Sequence, residues 1–242
     1  MKTIVFKELS AYFSSLAAYV TITIFLVVLG LFLWVFPESS VLEYGYAGLD
    51  SLFATIPYLF MFLIPAVSMR SLSEEKKEGT FELLATKPLT DWQIILGKFF
   101  AVLVIVLIAL IPTLICYFSV YQLGNPVGNI DTGAVIGSYI GTILLAAVFA
   151  AIGVFSSSLT KNQIVAFSIA VFLCFFLFSG FGSLSQLLSL QHMALAITDL
   201  GVEEHYQSVG RGVLDTRDLI YFISVSAIFL VITRTILRSR QW

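Results

Sequence analysis

The sequence contains little charge. Only 12% of its 242 residues are charged, which is about half the share found in an ordinary soluble domain, and 59% are hydrophobic. This excess of apolar residues indicates a membrane protein. The formal net charge is −2, which is unlike the basic surface of a nucleic-acid-binding domain. We therefore expect no nucleic acid among its partners.

Signatures of catalysis and metal binding are also scarce. The two cysteines, Cys116 and Cys174, are too few and too far apart for a disulfide framework or a zinc site. His192 and His205 have no third metal ligand near them in the sequence. There is no glycine-rich phosphate loop ending in Lys followed by Ser or Thr, so we expect the chain not to hydrolyse ATP by itself. The sequence predicts neither an enzyme nor a bound cofactor.

Six apolar segments are long enough to cross a membrane, which takes about 20 residues each. They predict an all-α fold of six transmembrane helices. The only charge inside any of them is Arg234. The lack of Asp, Glu, Lys and His from their centres disfavours an ion-coupled transporter and an intramembrane protease. The segments lie near residues 17–36, 52–69, 99–121, 133–156, 163–183 and 219–237.

The distribution of Lys and Arg predicts the orientation. With six spans, both termini fall on one side of the membrane. Of the 13 Lys and Arg residues, only Arg211 and Arg217 fall on the other side. Because cytoplasmic loops carry the excess of Lys and Arg, we predict that both termini and the 70–98 loop are cytoplasmic.

Residues 2–16 predict an amphipathic helix. Apolar residues such as Ile4 and Leu9 recur at helical spacing, opposite a polar stripe that includes Lys7 and Ser14. Such a helix lies in the headgroup layer before the chain enters the membrane. The alternative is a simple extension of the first span.

The fourth apolar segment is rich in small residues. Gly133, Gly137 and Gly141 are spaced four apart, and Gly153 follows further along the segment. This spacing lets helix backbones approach closely in lipid. It predicts tight packing, either within one subunit or at a dimer interface.

The loop of residues 70–98 is highly charged. It carries ten of the 28 charged side chains, the sum of 13 Lys and Arg with 15 Asp and Glu. We expect residues 70–78 to form a helix that leaves the membrane with exposed charge pairs, ending at Gly79. The stretch "TDWQ" beginning at Thr90 is a capping box that starts the next helix.

A short helix is expected between these two, from Thr80 to residue 86. Pro88 disfavours a helical conformation of the residue before it, so this helix must stop there. It would expose Phe81, Leu83 and Leu84, each of which contributes roughly 1.5–3 kcal/mol when buried against a partner. These side chains predict a docking surface; the alternative is that they pack back on the protein or the headgroups.

The stretch "EEKKEGTFELLATKPLTDWQIILGKFF" resembles the cytoplasmic coupling segment of ABC-2 type permeases, the membrane subunits of ABC transporters. In that family a coupling helix between spans two and three inserts into a separate ATPase subunit. The resemblance implies a coupling segment at 70–92. The residues it assigns to ATPase coupling are Glu75, Gly79, Thr80, Phe81, Glu82, Leu83, Leu84 and Pro88.

A second stretch, "HYQSVGRGVLDTRDLIYF", resembles the part of the same family that leads into the sixth span. It implies that segment 184–218 forms an extracytoplasmic lid, for which an ordinary loop is the alternative. The residues it assigns to this lid are His205, Tyr206, Arg211, Gly212, Asp215, Arg217 and Asp218.

The resemblance also implies a context for the chain. Residues 1–242 would form one ABC-2 type transmembrane domain in a bacterial inner membrane, with two copies of a separate ATPase subunit and a second permease subunit, identical or related. The chain most resembles permeases associated with gliding motility in Bacteroidetes, and permeases of the copper-processing accessory type are near neighbours. Export or force transmission would be the function. A non-transporting membrane scaffold that anchors a partner complex is the alternative, and the spans give no indication of a substrate.

Overall fold

The computed structural model describes residues 1–43, 45–80, 89–185, 197–210 and 215–239, and within these ranges the regular structure is helical. Six helical stretches are long and apolar enough to cross a membrane. The all-α fold with six spans is therefore confirmed, and the chain is a multi-pass membrane protein.

The spans are built from nine helices. The first is α2 (Leu16–Trp34), the second is α3 (Asp50–Ser68) continued by α4 (Arg70–Glu78), and the third is α5 (Asp91–Leu110) continued by α6 (Leu114–Leu123). The last three are α7 (Thr132–Leu159), α8 (Gln163–Phe175) continued by α9 (Phe181–Ser185), and α11 (Thr216–Ser239). Two further helices, α1 (Lys2–Phe13) and α10 (Val202–Gly210), lie outside the spans.

The breaks between helices follow from local sequence. The predicted helix over 2–16 ends earlier, at Phe13, and a new helix begins at Leu16. Ser15 caps this second helix, because its hydroxyl accepts a hydrogen bond from the backbone N–H of Ala17 at 3.2 Å. Pro112 lies in a 3₁₀ turn between α5 and α6, as expected of a residue without a backbone donor.

The core lies around α7, which packs against α3, α5, α8, α10 and α11. In the spans built on α3, α5 and α7, between 61% and 67% of an 18-residue apolar stretch of the span is buried inside the protein. In those built on α2, α8 and α11 the share is 22%. Three inner spans therefore form the core, and three outer spans present apolar surface outward.

Two glycines of α7 allow neighbouring elements to approach closely. A Cβ added at Gly153 would lie 2.7 Å from the Cβ of Ser68 on α3 and would also clash with its hydroxyl. A Cβ added at Gly141 would lie 2.9 Å from the Cβ of Val209 on α10. At these two positions the small residues serve packing within the subunit, which is the first of the two predicted roles.

We expect Gly153→Ala to destabilise the chain, because its methyl group forces α3 and α7 apart. Overpacking of this kind costs typically 1–3 kcal/mol. The measurement is the midpoint of thermal unfolding in detergent, which should fall.

Gly30→Ala is the matched control, since a Cβ at Gly30 meets nothing within 4 Å and Ala favours a helix over Gly by roughly 1 kcal/mol. Its midpoint should stay the same or rise. Equal midpoints for the two variants would contradict the packing at Gly153.

Candidate functional site

One end of the bundle collects the polar groups that flank residues 81–88. The elements that meet there are α1, α4, the start of α5, the end of α7 and the end of α11. The predicted coupling residues Phe81, Glu82, Leu83, Leu84 and Pro88 lie outside the described residues. The described flanks on either side of them form the candidate site.

Both flanks have the local structure that the sequence predicts. Helix α4 ends at Gly79, whose φ of 72° is the left-handed conformation that glycine adopts without strain. At the start of α5, the Thr90 hydroxyl accepts from the N–H of Gln93 at 3.3 Å. The Gln93 side chain accepts from the N–H of Thr90 at 3.1 Å. The capping box is therefore confirmed, and it fixes where the chain re-enters a helix.

Lys98 is the centre of a buried ion cluster that joins three helices. Its ammonium group lies 2.9 Å from Glu8 Oε1 on α1 and 2.9 Å from Glu75 Oε2 on α4, and it donates to the carbonyl of Ser71. The Lys98 side chain is fully buried, and those of Glu75 and Glu8 are 12% and 21% exposed. A buried ammonium needs such partners, because its desolvation costs several kcal/mol.

Helix α1 is tied to the same place by two more contacts. Lys7 Nζ donates to Glu75 Oε1 at 2.9 Å. Burial by itself lowers the pKa of Lys7, but the hydrogen bond and charge of Glu75, with a smaller effect of Glu8, hold this pKa above its ordinary value. Ile4 packs directly over Gly97, where an added Cβ would lie 2.9 Å from the Ile4 Cβ. Helix α1 therefore contacts α4 through Lys7 and α5 through Ile4, although the Lys7 side chain also remains partly exposed.

Helix α4 is anchored on the end of α7. The hydroxyl of Ser157 accepts from the N–H groups of Leu72 and Ser73 at 2.8 and 3.0 Å and donates to the carbonyl of Met69 at 3.2 Å. It thus satisfies backbone groups at the junction of α3 and α4. Lys76 donates to the carbonyl of Ser158, next to the negative end of the α7 dipole.

These contacts correct one prediction. The charges of residues 74–78 were expected to form exposed pairs with one another. Instead Lys76 is buried against α7, and Glu75 pairs with Lys98 and Lys7. The reason is that α4 packs against α7 and that Lys98 of α5 reaches across to it, so two of its charged positions face protein.

The end of α11 contacts the first turn of α5. Arg238 Nε lies 3.1 Å from Asp91 Oδ2, and the Arg234 guanidinium lies 5.0 Å from the centre of the Trp92 ring. The single charge predicted inside a span, Arg234, therefore rests on an aromatic face. The start of α5 is joined through these contacts to the sixth span.

The polar groups described above hold helices together. The charges of Lys7, Glu8, Glu75 and Lys98 pair with one another, as do those of Asp91 and Arg238. Among the described residues no group of three or more His, Cys, Asp or Glu side chains could hold a metal ion. Residues 81–88 are flanked by α4, which is joined to α7, and by α5, which is joined to α1 and α11. A displacement of α4 or of the start of α5 would therefore also displace the helices joined to it.

A second polar cluster lies at the opposite end of the bundle, where α10 meets the start of α11. His205 Nδ1 lies 2.7 Å from Asp218 Oδ1, and its Nε2 lies 3.0 Å from the carbonyl oxygen of Asp199. The ring of Tyr221 stacks on His205 with centroids 3.9 Å apart, and its hydroxyl donates to the carbonyl of Leu200 at 2.7 Å. These contacts fasten α10 to the sixth span.

Tyr206 fastens α10 to the core. Its hydroxyl donates to the carbonyl of Phe53 on α3 at 2.8 Å and lies 3.3 Å from the hydroxyl of Thr142 on α7. At the start of α11, Asp215 accepts from the N–H of Arg217 at 2.9 Å. The other residues assigned to the lid, Arg211 and Gly212, lie outside the described part of the chain.

Several residues of the two clusters were missed by the sequence analysis. Lys7, Glu8, Ser157 and Tyr221 were not among the predicted site residues. Glu8 carried a usable signal, because it is an acidic side chain on a helix that precedes a span. Ser157 carried none, since it is one of three consecutive serines and only its partner on α4 distinguishes it.

We expect Lys98→Met to destabilise the chain by about 3–5 kcal/mol, because it leaves the carboxylates of Glu8 and Glu75 without their buried cation. Adding Glu75→Gln should restore part of this loss, since one of the two carboxylates that faced Lys98 is then neutral. The measurement is unfolding in detergent, and the matched control is Lys77→Met at an exposed position of α4. Equal stability of Lys98→Met and Lys77→Met would contradict the cluster.

One comparison with known proteins identifies the family. The family model described as ABC-2 family transporter protein matches residues 7–233, which is nearly the whole chain and includes the ion cluster around Lys98 and the cluster around His205. A search of curated proteins found no match. The matched family consists of membrane components of transporters. This agrees with the six spans and with polar side chains, such as Lys98, that join helices to one another. The chain belongs to the ABC-2 family of transporter proteins.

Proposed function

We propose that the chain is the permease subunit of an ABC transporter and that residues 81–88 are the point at which a separate ATPase subunit acts on it. One observation carries the proposal. Both described flanks of this segment are locked into the bundle, α4 through Ser157 and Lys76 and α5 through Lys98. Because both flanks are attached to the bundle, a displacement of the segment would be transmitted to the spans. Flanks without such contacts would move without displacing the spans.

Two routes lead from the segment into the membrane. A push on residues 80–86 reaches α7 through the backbone hydrogen bonds between α4 and Ser157. The same push reaches α1 through Lys98 and α11 through Asp91 and Arg238. Because packed helices shift as units, closure of the ATPase would rock several spans together.

The partners and placement follow from the same proposal. Two ATPase subunits and a second permease subunit, identical or related, would complete the transporter, with the paired permeases enclosing a path. The polar end that flanks residues 81–88 would face the cytoplasm of a bacterium, with both termini on that side of the inner membrane. Helix α1 would lie in the cytoplasmic headgroup layer.

The opposite end would form the outer lid. Its support is that α10 is fastened both to α11, through His205, and to α3, through Tyr206. A rocking of these spans would therefore carry α10 with them. Asp215, Arg217 and Asp218 at the start of α11 belong to the same proposed lid, together with Arg211 and Gly212.

We further propose export or force transmission in gliding motility as the biological role. Its support is the resemblance of the chain as a whole to permeases of that kind. The other candidate is a non-transporting membrane scaffold that anchors a partner complex, which the anchored flanks of residues 81–88 would also suit. A transporter, unlike a scaffold, should change the ATP hydrolysis rate of its partner when the two are reconstituted in a membrane.

Replacing Phe81 and Leu84 together by Ala should weaken docking of the ATPase by roughly 3–5 kcal/mol, because buried apolar anchors carry most of an interface's energy. Glu82→Ala alone should cost about 1 kcal/mol or less, as expected of a charge at the rim. The measurement is co-purification of the ATPase subunit from detergent.

The matched control is Leu123→Ala with Val127→Ala, an exposed apolar pair at the other end of the bundle. It should retain the ATPase, and both double variants should reach the membrane in normal amounts. A Phe81 and Leu84 variant that inserts normally and holds the ATPase as tightly as the parent would refute the coupling assignment.

The orientation is tested by labelling with a membrane-impermeant thiol reagent in a background without Cys116 and Cys174. Asn129→Cys, at an exposed position, should be labelled from outside intact cells. Lys77→Cys, also exposed, should be labelled only after the membrane is opened, because the Lys and Arg excess faces the cytoplasm. The reverse pattern would overturn the orientation.

A further inference from the structure

A cavity of about 540 Å³ lies among α1, α4 and α5, at the membrane boundary where the second span ends and the third begins. Its volume is in the range of roughly 300–1,000 Å³ typical of small-molecule sites. The wall on the membrane side is apolar. It is formed by Val67, Ala101, Val102 and Ile105.

A second wall is the ion cluster already described. Lys7, Glu8, Glu75 and Lys98 all line the cavity, and their two positive and two negative charges pair with one another at 2.9 Å. This wall is therefore electrically balanced and does not decide the charge of a ligand.

The third wall is a stripe along α4 formed by Arg70, Glu74 and Glu78. These residues are four apart, so they lie on one helix face, with each about 6 Å further along the axis than the last. Within the described residues none of the three forms an ion pair or side-chain hydrogen bond. The charges on this face are thus one positive and two negative, in that order away from the membrane.

Ser71 adds an unsatisfied polar group to the same cavity. The residue lines the cavity and is 7% exposed, and its buried hydroxyl has no hydrogen-bond partner in the described part of the chain. A buried hydroxyl without a partner costs free energy.

We propose that this cavity binds the headgroup of a phospholipid that carries both a phosphate and a primary ammonium group, as phosphatidylethanolamine does. Going away from the membrane, the cavity presents an apolar wall, then a cation and then two carboxylates, which matches the order of acyl chains, phosphate and ammonium in such a lipid. The acyl region lies against Val102 and Ile105, the phosphate accepts from Arg70 and Ser71, and the ammonium donates to Glu74 and Glu78. The site requires only that these helices span a bilayer, and it is independent of the ATPase.

The chemistry predicts selectivity among headgroups. A primary ammonium has three N–H donors for the two carboxylates, whereas the trimethylammonium of phosphatidylcholine has none. Phosphatidylglycerol offers the phosphate but no cation, and its net negative charge is repelled by Glu74. Phosphatidylethanolamine should therefore bind more tightly than either.

The test is native mass spectrometry of the delipidated full chain, titrated separately with phosphatidylethanolamine, phosphatidylcholine and phosphatidylglycerol. Glu74→Gln should reduce the preference for phosphatidylethanolamine over phosphatidylcholine about tenfold, the loss of one charge-assisted contact. Arg70→Gln should weaken both lipids alike and leave their ratio unchanged. Lys77→Gln, on an exposed position that does not line the cavity, should match the parent.

Soluble glycerophosphoethanolamine distinguishes a lipid from a free phosphate compound. It should bind far more weakly than the diacyl lipid, because it lacks the chains that meet the apolar wall. Equal binding of phosphatidylethanolamine and phosphatidylcholine by the parent would overturn the proposal, as would an unchanged ratio in Glu74→Gln. Equal binding of the soluble compound would overturn the assignment to a lipid.

Discussion

The ammonium group of Lys98 is buried near the start of the third span, and the arrangement around residues 81–88 depends on it. A cation in this position is stable only with partners in place, and these come from α1 and α4, whereas Lys98 itself lies on α5. Because one group requires all three, these helices hold a single relative position. The same requirement aligns the flanks of the segment that we propose to contact the ATPase.

Both ends of the bundle combine charged pairs with side-chain contacts to backbone groups. At the end near residues 81–88, side chains bind backbone groups where helices stop and start, as Ser157 does for α4 and Lys76 for α7. At the other end, α10 is held by a histidine–carboxylate pair and by Tyr206. At each end a helix outside the spans is attached to more than one of them, α1 to the second and third and α10 to the second, fourth and sixth. A relative movement of these spans must therefore displace it.

The parts of the structure predicted from sequence are those encoded locally. The six spans follow from apolar runs, the end of α4 from Gly79, and the start of α5 from the spacing of Thr90 and Gln93. The partners of Lys98 are not local, because Glu8 and Glu75 are separated from it by long stretches of chain and resemble other glutamates near them. Lys76 was expected at an exposed position for the same reason. Its burial depends on where α7 ends, which composition and spacing do not specify.

The contact between Asp91 and Arg238 has a consequence for biosynthesis. Glu8, Glu75 and Lys98 are all synthesised before the last three spans, so their cluster can assemble while these later spans are still being translated. The contact of Arg238 with α5 must wait until α11 has been inserted. Assembly of this end of the protein is therefore ordered in time, with an early group of three helices that is closed later by the sixth span.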